Sequence, residues 1–90
     1  MNPLTFPVLH RNGTAQDMLM DDYDAALQAL RSATIAVQYA APNPRDYYLL
    51  KDSFEKAHAE HVARLQKLAD VIGEIAALME SVANQPNNGG

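Results

Sequence analysis

The stretch 15–40, AQDMLMDDYDAALQALRSATIAVQYA, decides the fold. Within it Leu19, Tyr23, Ala26, Leu30, Ala33, Val37 and Ala40 recur at alternating spacings of four and three, the seam of a long helix packed against another. A second stripe, Ala25, Ala29, Ala36 and Tyr39, is small enough for a further helix to approach closely, which a single intrachain partner does not require. Upstream, Gly13 lets the chain turn in, Thr14 is the expected N-cap, and Asp17 follows at the capping-box position. Helix 1 is therefore expected over about 15–40.

Ala41-Pro42-Asn43-Pro44 stops this helix, because proline lacks the amide and pushes its predecessor toward extended backbone. Asp46 is one candidate cap for the second helix, but Asp52 with Glu55 makes the better capping pair and places helix 2 at about 53–83. The ordered connection left between the helices is longer than the ~2–8 residues usual in bundles, and long connections in compact proteins are often functional. Helix 2 keeps its own heptad seam in Phe54, His58, His61, Leu65, Leu68, Ile72, Ile75, Met79 and Val82. Before helix 1, Pro3, Pro7 and Gly13 disfavour helix, and Leu4, Phe6 and Val8 alternate as in an extended arm over 1–14. Residues 84–90, rich in asparagine, read as a disordered tail. The chain is thus expected to be one all-α domain over 1–90, a long antiparallel helical hairpin.

The 90 residues include 48% hydrophobic ones, yet only two phenylalanines and no tryptophan, so the core one chain can build is small. Self-association into an oligomeric helical bundle is the natural remedy. A net charge of −4 opposes binding to a polynucleotide backbone, which rests on cations displacing counterions. The absence of cysteine excludes disulfides, thiolate metal sites and a thiol nucleophile, and agrees with a reducing compartment. The segment MNPLTFPVLH has neither the basic region nor the long apolar run of a secretory signal, and no stretch approaches the ~20 apolar residues of a membrane span. A cytoplasmic location without membrane attachment is expected.

Chemistry-bearing residues gather in three places. In the connection, Asn43, Arg45, Asp46, Tyr47 and Tyr48 combine a guanidinium fork for phosphate, aromatic stacking faces and an amide able to read a base edge. The plainer account pairs Arg45 with Asp46 and packs the tyrosines at the corner. At the start of helix 1, His10, Arg11, Asn12, Gly13 and Thr14 suit an anion held on free helix amides, or a simple N-cap turn. In helix 2, His58, His61 and Arg64 lie near Glu55 and Glu60. Glu55-x-x-His58 is half of a carboxylate-bridged metal motif, but the other half is missing, so the histidines are read as hydrogen-bonded seam residues and no metal or cofactor is expected. No nucleophile-base-acid set stands out, and no catalytic activity is expected.

His10-Arg11-Asn12-Gly13-Thr14, Pro42-Asn43-Pro44-Arg45-Asp46-Tyr47-Tyr48 and Glu60-His61-Val62-Ala63-Arg64-Leu65 form an HxNGT…PNxRDYY…EHxxRL pattern. Over about residues 9–83 it resembles small uncharacterised proteins encoded by bacteriophages and prophages. The resemblance implies a phage origin, and compact oligomeric phage proteins include inhibitors of host defence that hold cyclic or ADP-ribose-type nucleotide messengers between protomers. Two functions are therefore expected as alternatives. One is a non-catalytic sponge for a small nucleotide ligand, built from Arg45, Tyr47 and Tyr48 of one chain and His10, Asn12 and Thr14 of another. The other is an acidic helical inhibitor or adaptor that blocks a host defence protein or nuclease through residues such as Asp17, Asp21, Asp22 and Asp24. A purely structural or assembly role is a third possibility.

Overall fold

Gly13 donates its amide to the His10 carbonyl at 3.1 Å, closing a turn that delivers the chain into α1, Gln16–Tyr39. A computed structural model describes residues 4–86, and the ends of the expected arm and tail, 1–3 and 87–90, lie outside them. Among the described residues there are two α-helices, α1 and α2 (Ser53–Ala83), joined through a short 3-10 turn, Pro44–Asp46, with no strand. The N-cap of α1 is Ala15 rather than Thr14, and no side chain caps it. Inside the first turn Asp17 accepts the Met18 amide at 2.9 Å, one of the amides a helix start leaves without a backbone partner. At the other end Ala40 donates to the Val37 carbonyl at 3.0 Å, a tightened last turn before Pro42.

The boundaries of α2 fall where Asp52 and Glu55 place them, but Asp52 caps differently from expectation. Its backbone is left-handed, φ 63, and its side chain makes no capping bond. Aspartate is among the few residues that tolerate this backbone conformation. The Ser53 amide is answered instead by the Leu50 carbonyl at 3.2 Å.

The helices pack against each other along a seam that in α1 keeps Leu19, Tyr23, Ala26, Leu30 and Val37 half-buried, as the spacing suggests, and widens toward Leu27. Leu27 is buried, Met20, Tyr23, Leu30, Thr34 and Val37 are half-buried, and Ala33 and Ala40 are exposed. Leucine at 27 gains more from burial than alanine at 26, and it lies deeper in the seam. Thr34 sits inward at little cost because its hydroxyl donates to the Leu30 carbonyl at 2.8 Å. In α2 the line Leu65, Leu68, Ile72, Ile75 and Met79 is half-buried and Val82 fully buried. His61 is buried as expected, whereas His58 is exposed and Ala57 takes the inward place.

The first turn of α1 is tied to the last residues of α2. The Gln16 amide donates to the carbonyls of Val82 and Gln85, each at 2.9 Å, satisfying acceptors left over at the helix end. The Gln85 side chain then accepts the Leu9 amide and donates to the Pro7 carbonyl, both at 2.8 Å, as a neighbouring strand would. The arm half-buries Leu4, Pro7 and Leu9 and leaves Phe6 and Val8 exposed, so of the expected alternating set only Leu4 turns inward. Gln85 is part of this clasp rather than of a disordered tail. Gln85→Ala is expected to lower stability by about 1–3 kcal/mol, the net worth of two hydrogen bonds, read as a fall in urea midpoint.

The body measures 64 × 26 × 17 Å with a radius of gyration of 18.9 Å. A compact domain of this length has a radius near ~12 Å. Its surface is 6957 Å², against roughly 5,200 Å² for an ordinary monomer of this mass. The rod is thus under-covered.

Candidate functional site

Proline at 42 and 44 makes the connection rigid, and Asn43 shapes it. With extended backbone before Pro44, its side-chain oxygen accepts the Arg45 amide at 3.1 Å and its carbonyl accepts the Asp46 amide at 2.9 Å. Tyr47 closes the turn onto the Pro44 carbonyl at 3.0 Å, and its own carbonyl accepts the Ser53 hydroxyl at 2.8 Å. The connection is therefore pinned to the first turn of α2. Arg45, Asp46 and Tyr48 are exposed around it, and Tyr47 is half-buried.

Two side chains of α2 extend the site. Phe54 lies tilted against Tyr47, ring centres 6.4 Å apart, and His58 stacks on Phe54 at 6.0 Å. His58 leaves the seam for this contact, which its position four residues after Phe54 makes available. An open depression of about 300 Å³ is bounded by Pro44, Tyr47, Tyr48, Lys51, Phe54 and Glu55. A neighbouring one of about 510 Å³ lies over Asp46, Tyr47, Leu49, Leu50 and Ser53. These volumes reach the lower range of small-molecule sites, ~300–1,000 Å³, but both depressions lack a roof. Lys51 is offset in charge by Asp52 and Glu55 in the same wall. Tyr48, Leu49 and Leu50, which line these depressions, are 77%, 82% and 72% exposed, and Tyr39 at the end of α1 is 88% exposed. Phe54, Lys51, Leu49 and Leu50 were not among the residues expected from sequence to form the site. The signal for Phe54 was its spacing from His58, hidden because both fitted a heptad.

The His10–Thr14 turn stands at the other end of α1. The helix between spans ~36 Å, so one chain does not bring His10, Asn12 or Thr14 to Arg45, Tyr47 or Tyr48. The His10 ring covers Gly13, with Nε2 2.7 Å from where a Cβ would stand, which explains the glycine by packing. Since Asp17 already accepts the Met18 amide, and Asp21, Asp22 and Asp24 are exposed nearby, the helix start disfavours an anion on its own.

His61 and His58 do not form a pair: one is buried and the other is stacked in the open, and Arg64 is exposed. No protein group bonds the buried Nε2 of His61. Among the described residues no group of three or more His, Cys, Asp or Glu side chains is placed to hold a metal ion, and no helix is long and apolar enough to cross a membrane. No protein-family model matches the chain, and no match is found among curated proteins or solved structures.

Proposed function

We propose that the protein is a non-catalytic binding protein whose chain, an antiparallel helical hairpin, assembles into a homo-oligomeric bundle and binds its ligand at the connection end. One observation carries this reading: Tyr47, Tyr48, Phe54 and Lys51 surround an ordered but roofless depression, so recognition groups are in place and the enclosure is not. A second chain running the opposite way supplies the missing side, bringing His10, Asn12 and Thr14 of one protomer to Arg45 of the other. Stacking rings suit the base of a small nucleotide, taken by Tyr47 or Tyr48, and Arg45, exposed in the adjoining turn, would take its phosphate. With the phage resemblance, the role proposed is an anti-defence sponge for a cyclic or ADP-ribose-type messenger in the host cytoplasm. His58, on the Phe54 ring, joins the stacking wall; His61 and Arg64 have no direct part.

Calorimetric titration of the wild type and Arg45→Ala with cyclic dinucleotides and ADP-ribose tests the ligand. Saturable binding by the wild type, weakened at least about tenfold in the variant by loss of a charge-assisted contact, is expected. Absence of wild-type binding to every compound overturns the nucleotide reading.

The exposed Tyr48, Leu49 and Leu50, with Tyr39 at the end of α1, favour a second reading, in which the same end docks on a host defence protein. The exposed Asp17, Asp21, Asp22 and Asp24 would then face a basic partner.

A further inference from the structure

Asp46 stands at the connection, but its side chain does not help to hold it. Its amide donates to the Asn43 carbonyl at 2.9 Å, whereas α2 starts only at Ser53, so the carboxylate does not cap that helix. Among the described residues no donor bonds the carboxylate and no cation pairs with it, the adjacent Arg45 included. Asp46 is exposed, and it lines the depression of about 510 Å³ together with Tyr47, Leu49, Leu50 and Ser53. The Ser53 hydroxyl is already given to the Tyr47 carbonyl at 2.8 Å. What a ligand meets here is an aromatic ring, two leucines and an unpaired carboxylate, the mixture of apolar wall and a single orienting polar group that fixes which ligand fits.

An ionised carboxylate accepts hydrogen bonds through two adjacent oxygens and donates none. It repels phosphate, and in the adjoining depression Lys51 is outweighed by Asp52 and Glu55. A nucleotide therefore turns its phosphate away from these walls, toward Arg45, and its base inward. Among the bases only guanine presents two neighbouring donors, the ring N1–H and the exocyclic amino group, which match the two oxygens of a carboxylate. Adenine sets an acceptor beside its amino group on either edge, and that acceptor would meet the carboxylate lone pair to lone pair. Cytosine likewise pairs one amino group with an acceptor. We infer, on the nucleotide reading proposed above, that the ligand carries guanine, with Asp46 accepting from its N1–H and amino group while Tyr47 stacks on its face. Three consecutive residues, Arg45, Asp46 and Tyr47, then take phosphate, base edge and base face. Of the two messenger types proposed, this selects a guanine-bearing cyclic nucleotide over ADP-ribose, whose base is adenine.

Calorimetric titration with cyclic diguanylate, cyclic diadenylate and cyclic diinosinate tests the base. Inosine keeps the ring N1–H of guanine and lacks its amino group. The expected result is that the guanine compound binds the wild type at least about tenfold more tightly than the adenine compound, the inosine compound falling between them, because each bond to the charged acceptor is lost in turn. Asp46→Asn leaves the circular dichroism helical, since the turn uses only the backbone amide of this residue. It brings the guanine-to-adenine preference to about one or below, because a side-chain amide sets a donor beside an acceptor, the pattern adenine answers. If this variant loses its helical dichroism, the wild-type ranking of the three compounds decides alone. A wild type that binds the adenine compound as tightly as the guanine one, or a guanine preference that survives a folded Asp46→Asn, overturns the inference and leaves nucleotide binding in place. Binding of ADP-ribose with none of the three has the same meaning. A wild type that binds no compound at all overturns both the inference and the nucleotide reading beneath it.

Discussion

Leu27→Ala is expected to lower the stability of the helix pair by about 2–5 kcal/mol, the cost of deleting a buried leucine and leaving its space unfilled. A domain of this length has only ~5–13 kcal/mol in total. Few core groups stand behind Leu27: among the described residues only it, Val82 and His61 are buried, and the rest of both seams remains half in water. Urea denaturation followed by helical dichroism measures the loss. Ala33→Ser is the control, since Ala33 shared the seam by spacing but is exposed, and its change should stay within ~0.5 kcal/mol. Equal behaviour of the two variants would show that Leu27 does not anchor the pair. Were the chain to self-associate as proposed, its stability would rise with concentration, so both are compared at several concentrations, and the difference at Leu27 is expected at each.

That control marks where the sequence was legible. The helices and the break between them follow from signals within a few residues: the prolines at 42 and 44, and Asp52 before a long apolar repeat. The widening of the α1 seam toward Leu27 and Thr34, with Ala33 left out, was not legible, because Ala26, Leu27, Ala33 and Thr34 allow two seams one residue apart and the packing against α2 uses parts of both. At the helix start Ala15 stands as N-cap where the local rule favours Thr14, and Asp17 within the helix accepts the Met18 amide. The clasp was beyond local reading altogether: Gln16 and Gln85 look like solvated polar residues until they meet across 69 positions of chain. For the site, Asn43 to Tyr48 were identifiable as a rigid, chemically dense segment, and the structure orders them. Phe54 joined them, and the His10–Thr14 turn stayed at the far end of the rod. Nothing within one chain joins the two, because the length of α1 holds them apart.

His61→Leu should stabilise the protein, by about 1–3 kcal/mol. The imidazole is 6% exposed in the seam, and no protein group bonds its Nε2. A neutral imidazole carries one donor and one acceptor nitrogen, so a bare buried nitrogen forfeits the hydrogen bond it had in water whichever tautomer is present. Leucine, close in size, removes that penalty and adds apolar surface to a core short of it. The check is the urea midpoint, with the slope unchanged so that the shift reports stability rather than a different unfolded state. A neighbouring test separates polarity from packing: His61→Ala, which removes the same nitrogen but leaves a void, should destabilise. If His61→Leu brings no gain, Nε2 has a partner that only the assembled protein provides. If it brings the gain, histidine is kept at 61 against stability. A lone polar group in an otherwise apolar seam penalises slipped pairings, in which it would face bulky aliphatic neighbours. The stabilised variant should then tolerate insertions in the connection that shift α1 along α2, and the wild type should not.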